Sequence, residues 1–375
     1  MKKVFSEIPS LPLPTGRLGS MCRGILFAFG WAVLCLSSAS AQEVSELRFG
    51  GKVPPEVNRI YERGLNYLVQ SQSSSGGWGK SHYRNGVTAL GVMAILSSGE
   101  DPNFGRYSTT LHRALRQLIK TQNSKTGYFE SSMYDHGFCM LALSEAYGAV
   151  DDRVLWQKAT AGKEEESSTN APRTIGKALE LAVKCALTSQ NQNPHGAWRY
   201  SPSATDADTS VAGAVLVGLL AARNAGIEIP DENIEDALEY FAVMTSPEGS
   251  VGYSGLGSWG QSLARSSIAN LVFSIGKQKD WEEHKLTLGH IKKNINSKTS
   301  SHWSQEYSNY YLAQALFQSD FEAWQEWNSE MIDHLSKNQK DNGSFDFGSH
   351  GVAYSTSMSL LALALNYRFL PIYER

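Results

Sequence analysis

Apolar residues recur at three- and four-residue spacing in Ile60, Leu65, Leu68 and Val69, and again in Leu111, Leu115, Leu118 and Ile119, with charged residues between them. That period predicts amphipathic helices with one face in water. A second kind of segment alternates with the first. Residues 210–222 (SVAGAVLVGLLAA) and 357–365 (SMSLLALAL) are apolar almost all round, as a helix enclosed by neighbours must be. The chain therefore reads as outer and inner helices laid down in pairs.

Each pair is punctuated in the same way. Gln72, Gly76 and Trp78 fit the pattern Q-x-x-x-G-x-aromatic, as do Gln192, Gly196 and Trp198, and Gln339, Gly343 and Phe345. Gln122, Gly127 and Phe129 form a copy one residue longer. Thr245, Gly249 and Val251, and Ser297, Ser301 and Trp303, keep the spacing with altered residues. In this pattern the Gln amide satisfies backbone groups left open at a helix end, and the ring covers that bond and fills the gap to the next unit. A single hairpin cannot bury its apolar face, so stacking is obligatory, and closure into a ring removes the apolar ends of an open array. The expected fold is all-α: an α/α toroid of six helical hairpins in two concentric rings, an α6/α6 barrel over residues 57–375. Residues 42–56 read as a linker, and residues 151–173, polar and aperiodic, as a surface loop between units two and three.

With 41% hydrophobic and 19% charged residues the chain has the composition of a folded protein. A net charge of −3, with Lys and Arg scattered, gives no surface for nucleic acid or an anionic membrane. At the amino terminus, Arg23, an apolar run over residues 25–36 and Ala39-Ser40-Ala41 read as a signal peptide over residues 1–41, with Met21 as an alternative start. The run is too short to span a bilayer. A periplasmic or secreted protein without a transmembrane anchor is expected. Loss of the leader removes Cys22 and Cys35, leaving Cys139 and Cys185, which is no disulfide framework. The sequence also lacks a Gly-rich phosphate loop, an H-E-x-x-H pair and a G-x-S-x-G elbow.

These repeats resemble those of the terpene cyclase and protein prenyltransferase superfamily, which carry the Q-x-x-x-G-x-W signature on an α/α toroid. The resemblance covers most of residues 57–375. The closing stretch from Tyr354, ending in LPIYER, is similar to exported bacterial prenyltransferase and squalene-oxidase repeat proteins. It implies a cavity inside the inner helices, functional residues near their amino ends, an apolar or isoprenoid small molecule as ligand, and a monomer. Class II cyclases carry D-x-D-D followed by Thr, with the central Asp as acid. Here Asp206, Ala207, Asp208 and Thr209 admit two registers: one makes Asp208 the acid with Asp206 beside it, and the other puts Ala207 at the acid position. On the first register Asp208 and Asp206 are the catalytic candidates; independently of the resemblance, Asp208 reads as the N-cap of the inner helix that follows, accepting from Val211 N–H.

Prenyltransferases hold zinc with Asp, Cys and His, and Asp135, Cys139 and His350 are residues of those types. The family's Asp-x-Cys pair is missing, so no cofactor is expected, and Asp135 and Cys139 read as a helix cap and a buried thiol. Aromatic residues fall near inner-helix starts at Tyr83, Tyr134, Tyr200, Trp259, Tyr307, Tyr310, Tyr311 and Tyr354, with Arg84, Arg199 and Arg265 nearby. Of these, Tyr134, Tyr200, Tyr310, Tyr354 and Arg199, together with His136, are the candidates for contact with substrate. Three functions stay open: an enzyme of terpene cyclase or prenyltransferase type, a non-catalytic ligand-binding or scaffold protein that keeps the fold, and a carbohydrate-active toroid using paired carboxylates, to which only the fold points.

Overall fold

Pro55, whose fixed φ and missing amide hydrogen suit the first helical position, opens α1 (Pro55–Ser71) and turns Val57, Ile60, Tyr61, Leu65 and Leu68 inward. The computed structural model describes residues 53–79, 84–160, 172–255, 260, 262–295, 305–348 and 350–373. Twelve further helices follow: α2 (Arg84–Leu96), α3 (Ser108–Thr121), α4 (Met133–Ala146), α5 (Asp152–Thr160), α6 (Ile175–Asn191), α7 (Thr209–Asn224), α8 (Asp231–Val243), α9 (Leu263–Ile275), α10 (Glu282–Asn294), α11 (Gln305–Ser319), α12 (Phe321–Asn338) and α13 (Val352–Leu363). Among the described residues there is no strand; isolated bridges pair Gln122 with Phe129 and Thr245 with Val251 inside the repeat turns. The leader over residues 1–41, Cys22, Cys35, Tyr83, Trp259 and the fifth anchor, Trp303, lie outside the described residues.

Helices α2, α4, α7, α9, α11 and α13 form the inner ring, each packed on the next, and α13 returns to α2. The outer helices α1, α3, α6, α8, α10 and α12 flank them. The seam is fastened by Gln339 Nε2, which donates to the Ile60 carbonyl at 2.9 Å, and by Arg63 Nη2, which donates to the Lys340 carbonyl at 2.7 Å. The fold is an α/α toroid.

The repeat Gln works as a two-way clip. Gln72 Nε2 donates to the Gly76 carbonyl of its own turn and to the Thr110 carbonyl of the next outer helix, at 2.7 and 2.8 Å. Gln122 does the same with Gly127 and Ala178, and Gln339 with Gly343 and Ile60. In the third unit the clip is Gln190, not Gln192: its amide donates to Gly196 and Asn233, both at 2.7 Å, while Gln192 is exposed. Helix α6 ends at Asn191, and its turn is two residues longer than the motif allows. The Trp anchors fix the equivalence, since Trp78 Nε1 bonds the Leu68 carbonyl and Trp198 Nε1 the Ala186 carbonyl, each four residues before the clip. We expect Gln190→Ala to cost about 1–3 kcal/mol, because two buried carbonyls lose their donor, and Gln192→Ala to stay within about 0.5 kcal/mol. Urea unfolding of both variants checks this, and equal losses would return the clip to Gln192.

Two boundaries differ from the sequence reading. Helix α1 starts inside the segment assigned to the linker. The segment 151–173 opens not as a loop but as α5, because Val154, Leu155 and Trp156 give its first turns an inward side and Leu155 is fully buried. Arg116 anchors it by donating to the Leu155 carbonyl at 2.6 Å. Residues 161–171 lie outside the described residues.

Candidate active site

The amino ends of the inner helices gather on one side of the ring, and a cavity of about 270 Å³ lies among them. Helix α2 contributes Gly86, Val87 and Leu90, and α4 contributes Tyr134, Asp135 and Phe138. Ser210 and Val211 come from α7, Tyr307 from α11 and Tyr354 from α13. Tyr200, Tyr253 and His350 come from the segments just before inner helices. At roughly 30 Å³ per water the space holds on the order of ten non-hydrogen atoms.

Asp135 is the only carboxylate among the described lining residues. Ser132 caps α4 by accepting from the Asp135 N–H at 3.1 Å, which fixes Asp135 in the first turn, facing the cavity rather than capping the helix. Ser131 Oγ donates to its Oδ2 at 2.6 Å. Across the gap, Gly86 leaves room for Oδ1, which a Cβ there would strike. Asp135 is 4% exposed. Burial pushes its carboxyl up to about 6, against the pull of the Ser131 hydroxyl. Sequence reading considered this residue only as a cap or metal ligand. The signal for its true position was Ser132 three residues earlier, an N-cap that leaves residue 135 in the first turn.

Asp208 is the N-cap of α7, its Oδ1 accepting from Val211 N–H at 2.9 Å, and it is 0% exposed. Burial raises its carboxyl, and the Val211 N–H and Arg199 oppose the rise. It does not line the cavity. Asp206 points away, its carboxylate 61% exposed and paired with Arg199 Nη1 at 2.8 Å, so the two aspartates do not form a buried pair. Arg199 also donates to Ser254 Oγ and lies 5.7 and 5.8 Å from the Tyr200 and Tyr253 ring centres. It backs the rim tyrosines, whose hydroxyls meet at 2.9 Å.

The remaining candidates divide. Tyr134, Tyr200 and Tyr354 line the cavity. Tyr310 stands behind it, fully buried, edge-on to Tyr311 at 4.8 Å and 6.3 Å from Phe138. His136 does not reach the cavity. Its Nδ1 accepts from the Phe129 N–H at 3.3 Å, so Nε2 carries the proton and donates to the Ala182 carbonyl at 3.0 Å. Thr88 and Thr356 take the same N–H from Trp78 and Phe345. His136 is thus a repeat fastener, and burial drives it down to about 4. Of the zinc candidates, Asp135 and His350 line the cavity, and Cys139 is a buried thiol outside it. No cluster of three or more metal-binding side chains occurs among the described residues.

This architecture defines the class as an α/α toroid protein with its cavity at the amino ends of the inner ring. The GH76A α-1,6-mannanase of Salegentibacter sp. HEL1_6 has a similar fold, with a TM-score of 0.58 at 8% identity over 84% of this chain and 99% of that one. The type II terpene cyclase MstE from Scytonema aligns with a TM-score of 0.53 at 13% identity, over 84% of this chain and 100% of that one. An unsaturated glucuronyl hydrolase specific for heparin aligns with a TM-score of 0.53 at 12% identity, over 83% and 96%. These likenesses are of fold alone. No protein-family model matches the chain, and no curated protein does either.

Proposed function

We propose that the toroid binds, and acts on, a small isoprenoid or comparably apolar molecule in its central cavity, with Asp135 as the acid–base group that meets it. The observation that supports this most directly is a wall of five tyrosines and Phe138 around one buried carboxyl group. Aromatic faces accept apolar ligands and stabilise developing positive charge. A carboxyl poised near neutrality can give or take a proton at working pH. Asp208 and Asp206 act in this reading from behind the wall, through the fixed start of α7 and the Arg199-backed rim. MstE has been solved with geranylgeranyl dihydroxybenzoate as substrate; the cavity here suits a shorter molecule. No helix among the described residues is long and apolar enough to cross a membrane, and the signal-like pattern of residues 1–41 supports a place in the periplasm or the exterior.

Native mass spectrometry with lipid extraction, followed by titration with geraniol, tests the reading. We expect saturable binding of geraniol, weakened at least tenfold by Tyr354→Ala. The mannanase fold neighbours set the competing outcome: binding or cleavage of α-1,6-mannan oligosaccharides with no response to geraniol would replace an apolar ligand by a glycan.

A further inference from the structure

Asp135 poses a problem of charge that the fold leaves unsolved. Its Oδ2 is satisfied by Ser131, but among the described residues Oδ1 accepts no hydrogen bond, and it sits beside Gly86 at the cavity wall. No Lys or Arg stands among the described lining residues. Of the arginines near inner-helix starts, Arg199 pairs with Asp206 and Ser254, Arg265 donates to the Val251 and Gly260 carbonyls, and Arg84, on the exposed first turn of α2, is not a lining residue. The inner-helix amino ends offer partial positive charge, which fades within one turn. On α4, α7 and α9 that charge is already taken up by the caps Ser132, Asp208 and Ser262. What remains at the wall is one carboxylate oxygen facing a chamber of tyrosine rings, with the His350 imidazole packed against Tyr354 as the other polar ring of the lining. That combination is how proteins recognise alkylammonium groups: ring faces attract the cation by their quadrupole, and one anion completes the pair.

We propose that the cavity selects ligands bearing a positively charged amino group on an apolar body, with the ammonium held among Tyr134, Tyr200, Tyr253, Tyr307 and Tyr354 against Asp135 Oδ1. The inference rests on the apolar-ligand reading and narrows it. A neutral terpenoid fills the same space but leaves the carboxylate unpaired, whereas an anion would meet it as a like charge.

Three probes of one shape isolate the charge: choline, its neutral carbon isostere 3,3-dimethylbutan-1-ol, and the anion 3,3-dimethylbutanoate. Calorimetric titration of the full chain is expected to show choline binding at least tenfold more tightly than the alcohol, with no detectable binding of the anion. Asp135→Asn should bring choline to within twofold of the alcohol. Tyr134→Phe should keep the preference for choline, and Tyr134→Leu should reduce it, since only a ring supplies the quadrupole. Equal affinity for choline and the alcohol, or better binding of the anion, overturns the inference. If geraniol still binds in that case, the apolar cavity stands without it, whereas failure of all four compounds sinks both readings.

Discussion

Gly343→Ala is expected to destabilise the protein by about 3–4 kcal/mol, because a methyl group there meets both a left-handed backbone and the facing helix. Gly343 has φ +85°, where an alanine is strained by about 1–2 kcal/mol on backbone grounds alone. In addition its Cβ would overlap the Arg63 carbonyl, which belongs to α1 on the other side of the seam. A control separates the two costs. Gly148 and Gly226 have φ +84° and +91° but nothing within 4 Å of a Cβ. Gly148→Ala should therefore cost only the backbone part, about 1–2 kcal/mol. Urea unfolding with unchanged slopes gives both values. If the Gly343 and Gly148 variants lose the same stability, closure of the ring contributes little to the native state.

The second large effect is on the acid profile. The Asp135 carboxyl rises from 3.8 to about 6 on folding, so the folded state holds a proton that the unfolded chain has released. Its contribution is fully present below pH 3.8 and is lost as pH rises through 6. His136 falls from 6.5 to about 4, so its contribution is present above pH 6.5 and is lost as pH falls towards 4. Each is worth about 3 kcal/mol at full extent, at 1.36 kcal/mol per unit. The two nearly cancel between pH 4 and 6.5. Asp135→Asn should therefore be more stable than the parent at pH 8, by up to about 3 kcal/mol. It should also lose stability below pH 6.5 more steeply than the parent, in which the Asp135 contribution opposes that of His136. Thermal melts from pH 4 to 8 read both slopes, and parallel curves for the two proteins would contradict the opposed shifts. A variant that gains stability as it loses ligand affinity is what a strained functional carboxylate predicts.

The toroid was legible in the sequence because its cause is periodic. A helix that must be buried all round, such as α7, cannot hide its composition, and the glycine turns recur wherever one unit abuts the next. Tyr134, Tyr200 and Tyr354 were legible for a related reason, since the start of an inner helix faces the axis. Asp135 was not recognised as a carboxyl lining the cavity, because its position depends on Gly86 of the neighbouring helix leaving a gap and on Ser131 and Ser132 turning the carboxylate inward. Those contacts cross between segments, and one-dimensional spacing does not encode them. His136 misled for the opposite reason. An imidazole beside an aspartate suggests chemistry, yet it replaces a threonine hydroxyl in an ordinary repeat bond. The Gln192 assignment failed because α6 runs further than the motif, and residue spacing alone does not mark where a helix stops.

The seam between Gln339 and Ile60 also governs the order in which the molecule can be completed. Helix α2 gains its last neighbour, α13, only after on the order of 270 further residues have been made, on the order of half a minute at ribosomal speed. Throughout that wait the growing arc carries an uncovered greasy edge, and nothing local can shield it. The protein therefore assembles under the threat of aggregation until its final hairpin arrives, and a nascent chain stalled before α13 has no smaller circle in which to take refuge.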